Sequence, residues 1–228
     1  MHYETTERAP GMRHDPFKAL VVPRPIGWIS TVNRDGVPNL APYSFFNGVS
    51  DRPAVVMFSS GGYKDTLANI EETGEFCCSV ATWALRDAMN LSSATVARGV
   101  DEFALAGLTP AASKWVAAPR VGESPAAFEC KLWKTVELPG PQWRTDPHAR
   151  GEHSYTAVFG LVVGVYIDDS FLRDGIVDTA AMRPLARLGY MDYAVVTPET
   201  TFSLNRPTVD PDGRSARVVS GPWDGVYR

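Results

Sequence analysis

Polar chemistry is concentrated in two stretches of the chain. The first is Ser59-Ser60-Gly61-Gly62-Tyr63-Lys64-Asp65-Thr66, which joins an apolar run to a helical pattern through two glycines. Free backbone N–H groups, the positive end of a helix dipole, several hydroxyls and one lysine meet there, a set that suits a phosphate. The GxxxxGK[ST] spacing of a P-loop is absent, and a turn followed by an ordinary helix start reads from the same residues. Asp65 opposes a phosphate unless its carboxylate turns to cap backbone N–H groups. The second stretch is Asn39-Leu40-Ala41-Pro42-Tyr43-Ser44-Phe45-Phe46-Asn47, an aromatic strand pattern interrupted by Pro42. Proline belongs at strand edges or bulges, so backbone groups here are free for something other than a ladder. A flat apolar wall with Ser44, Asn47 and backbone at its edge suits a planar heteroaromatic ligand. A kinked core strand is the plainer alternative.

Little else in the chain is built for catalysis. There is no catalytic triad and no paired-carboxylate pattern, so the catalytic residues stay unassigned. Cys77, Cys78 and Cys130, with His2, His14, His148 and His153, form no CxxC, HExxH or Cys/His cluster, so no metal site is expected. An odd cysteine count with two adjacent members is a poor disulfide framework and fits a reducing compartment. Cys77 and Cys78 read as buried small hydrophobes on opposite faces of one strand.

The elements that must position these stretches are mostly strands. Trp28–Val32 is followed by Asn33-Arg34-Asp35-Gly36, a hairpin signal, and Leu40–Phe46 reads as the return strand. Ala54–Phe58, Glu75–Ala81, Phe128–Leu138, Thr156–Ile167 and Tyr193–Val196 complete at least seven strands. Helices are few: Lys64–Gly74 with an Asp or Thr cap, Trp83–Asn90 after a Thr82 cap, and Asp101–Gly107. Many strands with few short helices predict a mostly β fold, a barrel or sandwich with helical additions. Absence of βαβ alternation and of GxGxxG argues against a Rossmann fold.

The 228 residues carry 22 basic and 26 acidic side chains, a formal charge of −4, which argues against a protein that coats nucleic acid. No signal-peptide core opens the chain, and Thr156–Ile167 is too short to span a bilayer as a helix, so a soluble cytoplasmic protein is expected. Residues 1–18 read as a polar arm, 19–197 as one domain and 198–228 as an extended proline-bearing tail. Leu138–Ser154, rich in Pro, Gly and His, reads as a lid or mobile cover.

Taken together, the segments resemble the flavin reductase-like, FMN-binding split-barrel family, flavoredoxin-type members in particular. The likeness runs through Arg24-Pro25-Ile26-Gly27-Trp28-Ile29-Ser30-Thr31, Asp35–Asn47, Lys64-Asp65-Thr66-Leu67-Ala68-Asn69-Ile70, Asp101-Glu102-Phe103, Pro119–Cys130 and Arg187-Leu188-Gly189 with Asp192-Tyr193. It implies a split β-barrel with a few short flanking helices, a homodimer, and FMN near the subunit interface. The ring-lining strand would supply Trp28, Ala41, Pro42, Tyr43, Ser44 and Asn47. The phosphate segment would supply Ser59, Ser60, Lys64, Asp65 and Thr66, and Arg187 would reach the flavin or the partner subunit. Two positions depart from the family pattern. Ser79 stands where relatives often carry an asparagine, and Tyr190 replaces a small residue and would crowd a substrate pocket.

The implied activity is hydride transfer from NAD(P)H to FMN and on to a flavin, small-molecule or protein acceptor, with His153 a candidate contact for nicotinamide or substrate. Two alternatives stand beside it. One is an FMN-bound electron carrier without strong NAD(P)H activity, and the other is a non-enzymatic split-barrel sensor.

Overall fold

Seven segments, most of them short apolar runs, assemble one antiparallel sheet. The computed structural model describes residues 1–5, 7, 9–146, 148–149, 151 and 154–226. A helical turn, α1 (Phe17–Leu20), leads through β1 (Arg24–Pro25) into β2 (Gly27–Val32), β3 (Pro38–Tyr43), β4 (Phe46–Asp51) and β5 (Ala54–Gly61). Helix α2 (Asp65–Thr73) precedes β6 (Glu75–Val80), and α3 (Arg86–Leu91) and α4 (Glu102–Ala106) follow it. The long strands β7 (Ala126–Glu137) and β8 (Tyr155–Ile167) come next, then β9 (Leu185–Arg187) and β10 (Tyr193–Val195). The main sheet runs β3-β2-β6-β7-β8-β5-β4, and β1-β9-β10 form a smaller one.

The fold is mostly β with short helices, as the sequence predicts. Gly36 adopts φ +78° in the turn between β2 and β3, a conformation that glycine takes without a Cβ penalty. Pro42 lies in β3, an edge strand, where a missing N–H breaks no ladder. One difference concerns the expected return strand, Leu40–Phe46. It ends at Tyr43, the chain bends at Ser44-Phe45, and β4 begins at Phe46. The sequence hides β4 because Asn47 to Asp51 are all exposed and show no apolar alternation. Register shifts at Phe159/Gly160 and Val162/Gly164 let β8 twist against β7. A Cβ at Gly160 would come 2.3 Å from the buried Phe76 ring, so glycine is what lets β8 cross it.

Period-2 geometry sends neighbours to different cores. Ile29 packs with Tyr43, Phe58, Phe76, Cys78 and Val158, whereas Trp28 packs with Leu40, Met89, Phe103 and Leu185. Cys77 and Cys78 likewise join separate clusters, and all three cysteines are buried and free. Burial pushes the Cys77 thiol up to about 12. These thiols are packing groups, not nucleophiles.

The caps only partly follow the sequence. Asp101 accepts from the N–H groups of Phe103 and Ala104, and Gly74 ends α2 at φ 74°. Lys64 occupies the N-cap of α2, however, and no side chain caps it; Thr82 makes no capping bond either. Buried Arg24 donates to the carbonyls of Lys18, Val21 and Leu188, tying α1 to the turn between β9 and β10. Among the described residues no helix is long and apolar enough to cross a membrane, and no cluster could hold a metal ion.

Candidate functional site: a walled cavity at the start of helix α2

A cavity of about 590 Å³ opens beside the uncapped start of α2. That is within the usual size of small-molecule pockets, about 300–1,000 Å³. Its first wall is made of strands. Ala41, Pro42 and Tyr43 come from β3, Ser44 and Phe45 from the bend after it, Ser59 and Gly61 from β5, and Tyr155 from β8. The ladder fixes this wall: Tyr155 faces Gly61 in the β8–β5 register, and Ser59 N–H donates to the Phe45 carbonyl at 2.9 Å. A Cβ at Gly61 would lie 3.1 Å from the Tyr155 ring, so the glycine admits that ring. The Phe45 ring has Lys18 Nζ at 6.0 Å and the Arg24 guanidinium at 5.9 Å, within cation–π range.

Tyr43 is the deepest member. Its ring lies 4.7 Å from that of Phe58. Its hydroxyl is buried close to Thr66 and Ser60 without a hydrogen bond of ordinary geometry to either, and burial raises its pKa.

The second wall is the start of α2 itself, Lys64, Asp65 and Thr66. Thr66 is buried, and its hydroxyl accepts from Asn39 Nδ2 at 2.9 Å, so it serves the scaffold. The third wall is a loop after α3, Ser92 to Val96 with Arg98, completed by Lys18 from α1 and Glu102 from α4. The Trp28 indole donates to Ser92 Oγ at 2.9 Å, and Arg98 Nε lies 3.7 Å from Asp65 Oδ1. Glu102 accepts the Leu40 N–H at 3.0 Å, and burial raises its pKa.

Eight of the twelve candidate residues line this cavity: Ala41, Pro42, Tyr43, Ser44, Ser59, Lys64, Asp65 and Thr66. The other four lie elsewhere. Trp28 is wholly buried behind the third wall and donates its indole N–H to Ser92 there. Ser60 alternates away between Ser59 and Gly61 and donates to the Gly62 carbonyl. Asn47 is exposed on β4, with its amide oxygen on the Gly48 N–H. Arg187 donates to the Tyr190 carbonyl and sits 4.4 Å over the Tyr193 ring. Tyr190, at φ +53°, packs near His14 and does not narrow the cavity. None of the described residues from 138 to 154 lines it, and His153 lies outside the described residues.

Sequence reasoning missed the third wall. Its signal was a hydroxyl-rich run, Ser92-Ser93-Ala94-Thr95, directly after a helix and followed by Arg98. The whole arrangement offers a flat apolar wall, open backbone donors at a helix start, and three cations, Lys18, Lys64 and Arg98. That donor set fits a planar ring with an anionic end.

The family model for the flavin reductase-like domain matches residues 19–186. The chain belongs to that family. An uncharacterized protein of Aquifex aeolicus is 39% identical over 180 residues, covering 76% of this chain and 85% of its own. Among solved structures, nitrilotriacetate monooxygenase component B from Bacillus cereus has a TM-score of 0.79 at 26% identity, covering 90% of this chain and 98% of that one. Flavoredoxin of Desulfovibrio vulgaris has a TM-score of 0.67 at 26% identity, covering 83% and 93% respectively. A protein with a split-barrel domain from Shewanella frigidimarina shares the fold, with a TM-score of 0.73 at 23% identity over 90% and 98%. The sheet of this flavin reductase-like chain is therefore a split barrel, and every residue that lines the cavity except Lys18 lies within the matched region.

Proposed function

We propose that this flavin reductase-like protein binds FMN in the walled cavity and works as an NAD(P)H-dependent flavin oxidoreductase. The observation that carries the reading is the pairing of a flat strand wall, Ala41 to Phe45, with an uncapped helix start flanked by Lys64 and Arg98. An isoalloxazine ring needs the first and its phosphate needs the second. When bound, FMN would supply the redox chemistry, taking a hydride from NAD(P)H and passing electrons to a flavin, small-molecule or protein acceptor.

The chain's own residues bind and orient. Ala41, Pro42 and Phe45 would cover one face of the ring and exclude water from it. Ser44 and Ser59 would bond its polar edge or the ribityl chain. The first N–H groups of α2 and the Lys64 ammonium would hold the phosphate. No acid or base has to move a proton for hydride transfer itself.

A homodimer is part of the proposal. Trp133 on β7 and Val163 and Val165 on β8 are exposed, as are Trp143 and Trp223, apolar surface that a second copy would cover. A cytoplasmic location is proposed from the three free, buried cysteines.

Likeness to flavoredoxin favours a second reading, an electron carrier that holds FMN with little NAD(P)H activity. One experiment addresses both. The protein is incubated with FMN, gel-filtered, and its visible spectrum recorded before and after anaerobic NADH or NADPH. A retained flavin band that bleaches within the mixing time supports the reductase. A retained band that persists supports the carrier. If no flavin is retained, steady-state FMN reduction decides: turnover makes FMN a released substrate, and no turnover overturns both readings.

A further inference from the structure

Two acids line the cavity, and only one of them has a cation. Asp65 faces Arg98 Nε at 3.7 Å. Glu102, the first residue of α4, is 7% exposed, and among the described residues no salt bridge reaches its carboxylate. Its Oε2 accepts the Leu40 N–H at 3.0 Å, one residue before the strand wall begins at Ala41. A buried carboxylate without a partner charge favours its neutral form.

The groups around Glu102 sharpen that preference. Burial is the largest influence on it, the Leu40 N–H works the other way, and the charges of Asp65 on α2 and Asp101 on α4 add to the rise in its pKa. From β3, Asn39 carries no charge and Tyr43 has its own pKa raised by burial. On α3, Arg86 pairs with Asp87 at 3.3 Å and stacks on the Trp83 ring. The cations of the cavity are placed against other groups or other walls. Arg98 faces Asp65, Lys18 Nζ lies 6.0 Å from the Phe45 ring, and Lys64 sits at the N-cap of α2. An anion in the cavity therefore adds a third negative group to Asp65 and Glu102. Asp65 has Arg98 to hold its charge. Glu102 relieves the repulsion by taking a proton from water, and one carboxyl oxygen stays an acceptor for the Leu40 N–H when the other carries that proton.

We propose that Glu102 makes ligand binding proton-linked: the cavity takes up a proton at this carboxylate as FMN enters, and ionisation of Glu102 at higher pH weakens the hold on the ligand. The proposal rests on the flavin reading of the cavity and adds to it a dependence on pH. Protonated Glu102 favours the loaded state, so its contribution is full at low pH and is lost as pH rises through the loaded-state midpoint. FMN must raise the proton affinity of Glu102 by the same factor by which the proton raises the affinity for FMN.

The test is the pH titration of the Glu102 side-chain carboxyl, followed by carbon-13 NMR on the wild-type chain, free and loaded with FMN. Loading is expected to raise the proton affinity of Glu102 about three- to tenfold, the effect of one charge met across a partly screened cavity. The affinity for FMN of the wild type and of Glu102→Gln, read by flavin fluorescence, gives the same coupling from the other side. Glutamine keeps a carbonyl for Leu40 and cannot ionise. Both proteins should respond alike at mildly acidic pH, and the wild type should fall about three- to tenfold behind the variant above neutrality. The ratio of the two affinities cancels the ionisation of the phosphate itself, whose second pKa is about 6. A Glu102 midpoint that stays or falls on loading overturns the proposal, while the loading itself leaves the flavin reading standing. That result needs no variant to fold. An affinity ratio that is constant with pH overturns the proposal equally. A wild-type chain that binds no FMN removes the flavin reading, and the proposal with it.

Discussion

The strand wall and the loop wall of the cavity present similar polar groups, but they are held in different ways. Residues 41–45, 59, 61 and 155 sit in or beside a continuous ladder, and behind them lie Phe58 and Phe76, both wholly buried. The loop wall, Ser92 to Arg98, has no ladder. Its ties are the buried Trp28–Ser92 bond and turn hydrogen bonds from Ser92, Ser93 and Ala94 back onto α3 at one end, and the exposed Asp65–Arg98 pair at the other. A wall held by packing can present a ring surface of fixed shape. A wall held by local turn bonds and one exposed ion pair can adjust to whatever charge arrives. The difference suits a ligand with a rigid ring and a flexible, charged end.

The largest expected effect comes from breaking the strand wall. Phe58 makes a 4.7 Å contact with Tyr43 and a T-shaped one with Phe76 at 5.6 Å. Phe58→Ala removes a wholly buried ring and is expected to cost about 3–5 kcal/mol in urea unfolding. Flavin affinity should fall with it, because Tyr43 loses its backing. A loss below about 1 kcal/mol would show that the wall does not depend on this core.

The contrast also explains what the sequence reveals. Short apolar, β-branched runs mark β2, β5, β6 and β8, and alternation marks β7, so the strands that carry Ser59 and Gly61 are legible. Glycine at φ 74° ending α2 and Asp101 capping α4 are legible for the same reason, since each follows from local backbone chemistry. The loop wall is not. Ser92-Ser93-Ala94-Thr95-Val96 has no periodicity, and its role depends on an indole 64 positions away along the chain. Lys18 reaches the cavity only because Arg24 folds the arm back through three carbonyls. Trp28 and Ser60 show the converse: the sequence places them in the right segments, but strand alternation turns them away from the cavity.

The loop wall itself should break more gently. Ser92→Ala leaves the Trp28 indole N–H buried without its acceptor, and is expected to cost about 1–3 kcal/mol. Hydrogen exchange of residues 92–98 should quicken while exchange in β5 and β8 stays slow. Equal loosening of both walls would mean that they form one cooperative unit.

Glu102 joins the two walls, since it lines the cavity from α4 and holds the Leu40 N–H of β3. Burial, its largest influence, raises the folded pKa above the ordinary 4.5. A raised folded value means that the protonated form favours folding. Its contribution is full below the ordinary value and is lost as pH rises through the raised one. Glu102→Gln keeps a carbonyl for Leu40 and should remove that loss. Urea midpoints of the two proteins should therefore diverge as pH rises from mildly acidic to neutral, with the variant gaining on the wild type. A constant difference across that range would show that Glu102 stays ionised throughout in both states.

The smallest effect is expected at Arg187, and it tests the boundary of the site. Within one chain the guanidinium is spent on the Tyr190 carbonyl and the Tyr193 ring, outside the cavity walls. Lys18 of α1 approaches the cavity near Phe45, and the buried Arg24 stands between that arm and the β9–β10 turn that Arg187 stabilises. Loss of one exposed cation contact should change stability by about 1 kcal/mol or less. Arg187→Ala should likewise leave FMN affinity within about twofold, since sites without shared partners act independently. A tenfold loss measured at protein concentrations that favour association, and absent on dilution, would place Arg187 in the cavity of a partner subunit. The cavity would then have a fourth wall that a single chain does not supply.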